Sequence, residues 1–161
     1  VAEEADIRLH PDDPAMPRLR DTARLVYQPD LYQKLLDIVP SYANALEFCQ
    51  GSIAEMIEGD VYEAIDRYSK QGKIAYVHFR NVRGKVPEYQ EVFLDEGDVD
   101  MIRVLQLYKQ SQFDGMMIPD HGAAQVMCRT VACGDDLRPW LYACGYHNGP
   151  CAIIVNGGTC G

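Results

Sequence analysis

The sequence predicts an α/β fold, and within that class half of a (β/α)8 barrel. Three observations carry this. Strand-like runs alternate with amphipathic helical stretches in the order β-α-β-α-β-α-β. That order implies parallel strands joined by right-handed crossovers. The run stops after four strands, and a closed barrel takes about 250 residues at roughly 30 per unit, so four strands suit half of one. Finally, chemistry-bearing side chains recur at the strand ends at separations of 39, 29 and 42 residues, each about one strand-helix unit.

The first strand-like run is ADIRLH (5 to 10). The stretch from Pro11 to Arg24 holds three prolines and several charges, as a long βα loop would. Pro29 and Asp30 then open a helix with Leu31, Leu35 and Ile38 at helical spacing. NALEFC (44 to 49) is the second strand. Asp60 is an N-cap with Glu63 three residues on, followed by the stripe Val61, Ala64, Ile65, Tyr68 and a stop at Gly72. KIAYVHF (73 to 79) is the third strand, Asp98 opens a helix with the stripe Met101, Val104, Leu105, Tyr108, and DGMMIP (114 to 119) is the fourth strand.

With 161 residues, 47% of them hydrophobic, the chain can build a globular core. A net charge of -9 and a pI near 4.8 argue against nucleic acid, because phosphate binding needs clustered Lys and Arg. A small-molecule substrate is the expected partner. No apolar run approaches the roughly 18 to 20 residues of a membrane span, and no leader pattern precedes a cleavage site, so a cytoplasmic location is expected. The start VAEEAD lacks Met and suggests a fragment.

His10 ends the first strand, Cys49 the second, His78 lies near the end of the third, and Asp120 follows the fourth. In parallel α/β folds the strand C-termini share one face, so these four side chains should converge. Two imidazoles, a thiol and a carboxylate suit a divalent transition metal such as Mn, Fe, Co or Zn, whereas Mg or Ca would favour oxygen alone. Taken singly, each has an ordinary reading: His10 capping a loop, His78 a satisfied interior histidine, Cys49 a small buried apolar residue, Asp120 a turn residue after Pro119. Their corresponding positions on successive strands favour the metal. Arg80, just beyond His78, could hold a substrate carboxylate by paired hydrogen bonds, while Arg83 reads as a solvated loop residue. His121, beside Asp120, is placed to move a proton.

LHPDDP (9 to 14), FCQGS (48 to 52), VHFRNVRG (77 to 84), EVFLDEGDVDM (91 to 101) and IPDH (118 to 121), in that order, resemble the mannonate dehydratase family over about residues 5 to 128. The resemblance implies the C-terminal half of a metal-dependent TIM barrel of the xylose-isomerase-like kind. It implies dehydration of D-mannonate to 2-keto-3-deoxy-D-gluconate in hexuronate breakdown, with a homo-oligomer at full length. It assigns the metal, usually Mn2+ with Fe2+ or another divalent transition metal as alternatives, to His10, Cys49, His78 and Asp120. His121 would serve acid-base catalysis and Arg80 would lie in the substrate site. Two other readings stay open: a sugar isomerase or epimerase on the same barrel, and a non-catalytic truncated product.

The chain thus divides into 1–128, a half barrel with the metal site, and a tail, 129–161, that does not carry the motifs. The catalytic tyrosine that follows PDH in the best-studied branch of the family is not placed by these motifs, because Tyr142 and Tyr146 lie in the tail that does not match. Cysteines crowd this end: Cys49 stands alone in the first 127 residues, while Cys128, Cys133, Cys144, Cys151 and Cys160 follow without CxxC spacing. Back-translated with permitted codons and read one base later, residues 129–156 yield an active-site-like loop and an amphipathic final helix, which suggests a frameshift after about Cys128; the alternative is a genuine cysteine-rich segment. Sequencing the coding DNA decides it.

Overall fold

In chain order the elements are β1 (Arg8–Leu9), β2 (Arg18–Leu19), β3 (Thr22–Ala23), α1 (Pro29–Ile38), β4 (Ala45–Cys49), α2 (Gln50–Glu55) and α3 (Val61–Lys70), then β5 (Ile74–His78), β6 (Asn81–Lys85), β7 (Glu88–Val92), α4 (Met101–Gln110) and β8 (Met116–Ile118). These come from a computed structural model that describes residues 8–120. Strands β1, β4, β5 and β8 pair in that spatial order, all parallel. Each of the four lies inside, or within a residue of, a strand expected from the sequence.

Register decides which side chains share a face. Phe48, Val77 and Met117 align across β4, β5 and β8, and all three are fully buried. The Phe48 ring lies 6.2 Å from Tyr32 of α1 and 6.5 Å from Tyr68 of α3, so this row is the one packed against helices. Because strand side chains alternate, the next row, Cys49, His78 and Ile118, points to the opposite face. The core is therefore the helix-sheet layer, and the chemistry sits across the sheet from it.

The helices follow local rules with two corrections. In α3, the Asp60 carboxylate accepts from the Tyr62 and Glu63 amides, and Val61, Ala64, Ile65 and Tyr68 are buried as expected. Gly72 follows at φ +64, a left-handed stop. In α1, Pro29 sits at the first turn, but the buried face is Pro29, Tyr32 and Leu36; Ile38 is 71% exposed. The larger Tyr32, four residues before Leu36, takes the stack on Phe48 and rotates the Leu31, Leu35, Ile38 stripe to the margin. In α4 the stripe is buried as expected, but Asp100, not Asp98, caps it. Asp98 is held elsewhere: its amide donates to the Val82 carbonyl and its carboxylate accepts from the Gly84 amide.

The stretch from Pro11 to Arg24 is less irregular than its prolines suggest. β2 and β3 form a hairpin whose turn residues, Arg20 and Asp21, both take positive φ (47 and 64), matching the strand twist. A second hairpin, β6–β7, follows β5, and the buried Asn81 staples it to the segment beyond. The Asn81 amide donates to the Leu94 and Val99 carbonyls, and its oxygen accepts from the Val82 and Val99 amides. Gly84 has φ +85, and a Cβ there would stand 2.6 Å from the Glu88 carbonyl oxygen, so glycine is required. Among the described residues, no helix is long and apolar enough to cross a membrane.

Candidate metal centre

The four residues that the sequence placed at strand ends do meet. His10 follows β1, Cys49 and His78 close β4 and β5 side by side, and Asp120 comes two residues after β8. One ligand atom each from His10, Cys49 and His78 lie within 4.8 Å of one another. Asp120 Oδ2 is 3.7 Å from Cys49 Sγ and 3.5 Å from His78 Nδ1. Asp120 has φ 55, a left-handed backbone that aspartate tolerates better than most residues.

Each histidine has one ring nitrogen engaged by an oxygen of its surroundings. His10 Nδ1 lies 2.6 Å from its neighbour's carbonyl, Pro11 O, which accepts only if Nδ1 carries the proton; Nε2 then keeps its lone pair. His78 Nε2 lies 3.0 Å from Glu47 Oε1, and His78 Nδ1 is buried with no hydrogen-bond partner. Burial disfavours a charged His78, but contact with Cys49 and the charges of Asp120, Cys49 and Glu47 outweigh it and raise the pKa. A sulfur, two imidazole nitrogens and a carboxylate around one point form a donor set that suits a divalent transition metal, and the orphaned Nδ1 fits that use.

Arg80 lies beside the cluster. It is 1% exposed, and the paired hydrogen bonds expected toward a substrate carboxylate go to the protein's own acids: Nη1 to Glu91 Oε1 and Nη2 to Asp13 Oδ2, both at 2.7 Å. Nη2 also donates to Ser52 Oγ at 3.0 Å. Arg80 Nε has no hydrogen-bond partner and faces Asp120 Oδ2 at 3.8 Å. Gly51 makes this fit possible, since a Cβ there would stand 2.2 Å from Nε. Arg83 is exposed and donates to the Glu96 carbonyl, as a loop arginine should. His121 falls outside the described residues.

Several participants were not anticipated. Ser52 Oγ is 3.1 Å from Cys49 Sγ and 2.9 Å from Asp13 Oδ2 and accepts from Arg80; its one proton can go to the sulfur or to the carboxylate, so the hydroxyl links Cys49 to the arginine cluster. Tyr89 donates to Asp13 Oδ1. Burial works against an ionised Asp13, but the Arg80 hydrogen bond and charge prevail and lower its pKa. Glu55 is fully buried; burial and then the Asp13 charge push it up to about 7. Asp13 and Ser52 lie inside motifs already quoted. Glu47 had a plainer signal: two residues before Cys49 on one strand, it must share that face.

The chain matches the family model described as D-mannonate dehydratase over residues 1–154. It is 34% identical over 129 residues to the mannonate dehydratase of Lactococcus lactis subsp. cremoris, covering 76% of this chain and 36% of that protein. To the mannonate dehydratase of Thermotoga maritima it is 30% identical over 127 residues, covering 76% of this chain and 35% of the other. The crystal structure of mannonate dehydratase from Streptococcus suis superposes with a TM-score of 0.68 at 30% identity, over 74% of this chain and 35% of that one. The chain spans about a third of the length of these relatives. The family match runs past Cys128, where the motif resemblance stops; the segment 129–161 lies outside the described residues. On the strength of that match, the chain belongs to the D-mannonate dehydratase family.

Proposed function

We propose that this chain is the metal-bearing half of a (β/α)8 barrel that dehydrates D-mannonate to 2-keto-3-deoxy-D-gluconate. The convergence of His10, Cys49, His78 and Asp120 at the C-terminal ends of four parallel strands carries the reading. The half barrel is supported by strand order: β1, β4, β5 and β8 follow one another in space as in sequence, so every crossover steps the same way. A doubly wound sheet would reverse at its switch point.

His10, Cys49, His78 and Asp120 would hold a divalent transition metal, with Mn2+ first among the candidates. When bound, such an ion supplies positive charge that stabilises the negative charge built on the substrate as its C2 proton leaves. The remaining parts belong to the chain. Loss of the C2 proton leaves its electron pair to form the C2–C3 double bond; the C3–O bond breaks, and the departing hydroxyl takes a proton to become water. The resulting enol tautomerises to the 2-keto acid. His121, next to Asp120 in sequence, is the group proposed to move one of these protons. Arg80 acts at one remove: its guanidinium, fixed by Asp13 and Glu91, faces Asp120 and holds that carboxylate toward the cluster.

The test is incubation of the chain with Mn2+ and D-mannonate and assay for the 2-keto-3-deoxy product. Product that disappears in Cys49→Ser supports the reading. An isomerised or epimerised sugar acid would replace it with isomerase or epimerase chemistry. Absence of product together with no Mn2+-dependent rise in Tm would refute it.

A further inference from the structure

We propose that Glu47 is a positioning residue of the centre: its carboxylate accepts a hydrogen bond from the Nε2–H of His78 and so holds the Nδ1 lone pair where His10, Cys49 and Asp120 meet. The inference rests on the metal reading above and adds a residue outside the ligand set.

The placement follows from the sheet. Glu47 and Cys49 share one face of β4, and the register sets Glu47 beside Tyr76 and Cys49 beside His78. Glu47 is thus the diagonal neighbour of His78 on the same face, within reach of a long side chain. Its Oε1 stands 3.0 Å from His78 Nε2, with the two side chains only 21% and 13% exposed. The opposite ring nitrogen, Nδ1, is buried without a hydrogen-bond partner and 3.5 Å from Asp120 Oδ2.

A neutral imidazole has one N–H, so the nitrogen that donates fixes the other as the lone-pair donor. A carboxylate can only accept, and Glu47 therefore selects the Nε2–H tautomer. Packing holds the ring plane as well. Tyr76 meets His78 edge-on at 5.5 Å and 65°, and the His10 ring lies 5.3 Å away. His10 has a comparable contact, its Nδ1 lying 2.6 Å from the Pro11 carbonyl oxygen, so each histidine has an oxygen acceptor on one ring nitrogen.

The test uses the full chain and two probes. Co2+ titration followed by absorption should show affinity falling about 10- to 100-fold in Glu47→Ala, the usual effect of removing such a partner. Glu47→Gln, whose amide oxygen still accepts, should stay within a few-fold of wild type. In Zn2+-loaded wild type, imidazole 15N NMR should place the His78 proton on Nε2 and the coordination shift on Nδ1; this decides the matter even if Glu47→Ala fails to fold. Wild-type Co2+ affinity in a folded Glu47→Ala, or a proton on Nδ1, overturns the proposal. If wild type and Cys49→Ser alike give no Co2+ absorption, the metal reading itself falls and this proposal goes with it.

Discussion

Glu55→Gln should change how stability depends on pH. The Glu55 side chain is fully buried, and its Oε1 accepts from the Ala15 amide at 3.0 Å. Its Oε2 has no hydrogen-bond partner and stands 3.7 Å from Arg80 Nη2. That guanidinium already serves Asp13 and Glu91 at 2.7 Å each, so a third carboxylate gains little from it. Burial first, then the Asp13 charge, raises the Glu55 pKa from 4.5 to about 7. The native state then binds the extra proton between those two values, and the unfolded chain does not. Stability from this group is complete below about pH 4.5 and is lost as pH climbs through 7. At about 1.4 kcal/mol per pH unit of the shift, the loss is roughly 3 kcal/mol. Glutamine keeps an oxygen for Ala15 and cannot ionise. Urea unfolding of both proteins from pH 5 to pH 8 should therefore show Glu55→Gln gaining on wild type by about 2 to 3 kcal/mol across the range. A difference that stays flat with pH, or that moves in favour of wild type as pH rises, would refute the placement of Glu55 as a protonated acid beside Arg80.

Gly51→Ala, mildly favourable in an ordinary helix, should cost about 1 to 3 kcal/mol here, because its Cβ lands 2.2 Å from Arg80 Nε; urea unfolding reads the sign directly. Cys49→Ser should abolish the rise in Tm produced by Mn2+, which for wild type at about 100-fold excess over Kd corresponds to about 2.7 kcal/mol; differential scanning fluorimetry with and without the ion checks it. Phe48→Ala, which empties the contact between the sheet and Tyr32 and Tyr68, should cost about 3 to 5 kcal/mol in chemical denaturation.

The parallel framework was legible because each of its elements declares itself locally. Alternating apolar residues mark β4 and β5, and α3 carries both its cap, Asp60, and its stop, Gly72. Strand ends were legible too, and with them the convergence of His10, Cys49, His78 and Asp120, since a parallel sheet puts those ends on one face. What escaped depends on partners distant in sequence. Whether Asp98 or Asp100 caps α4 is settled by Val82 and Gly84, which claim Asp98 first. Which stripe of α1 is buried is settled by Phe48, which selects Tyr32 over Leu31. The β6–β7 hairpin depends on Asn81 reaching Leu94 and Val99, a tie that no periodicity encodes.

Arg80 shows how an arginine beside a cluster of candidate ligands can be wholly committed to the protein's own acids. A guanidinium with 1% exposure keeps its charge only if carboxylates replace the water it has lost, and Asp13 and Glu91 do so at 2.7 Å each. Those acids arrive from different parts of the chain, Asp13 from the loop after β1 and Glu91 from β7, so one buried cation joins the loop beside His10 to the hairpin after His78. Ser52, accepting from Arg80 and in reach of Cys49 Sγ, extends the connection to the sulfur, and Arg80 Nε extends it to Asp120. The four candidate ligands sit at or just beyond the ends of separate strands, and a sheet alone places their backbones without fixing their side-chain rotamers. Contacts of Arg80 with Asp120, Ser52 with Cys49 and Glu47 with His78 add that constraint. The residues most informative about this cluster are accordingly the ones around the four candidate ligands.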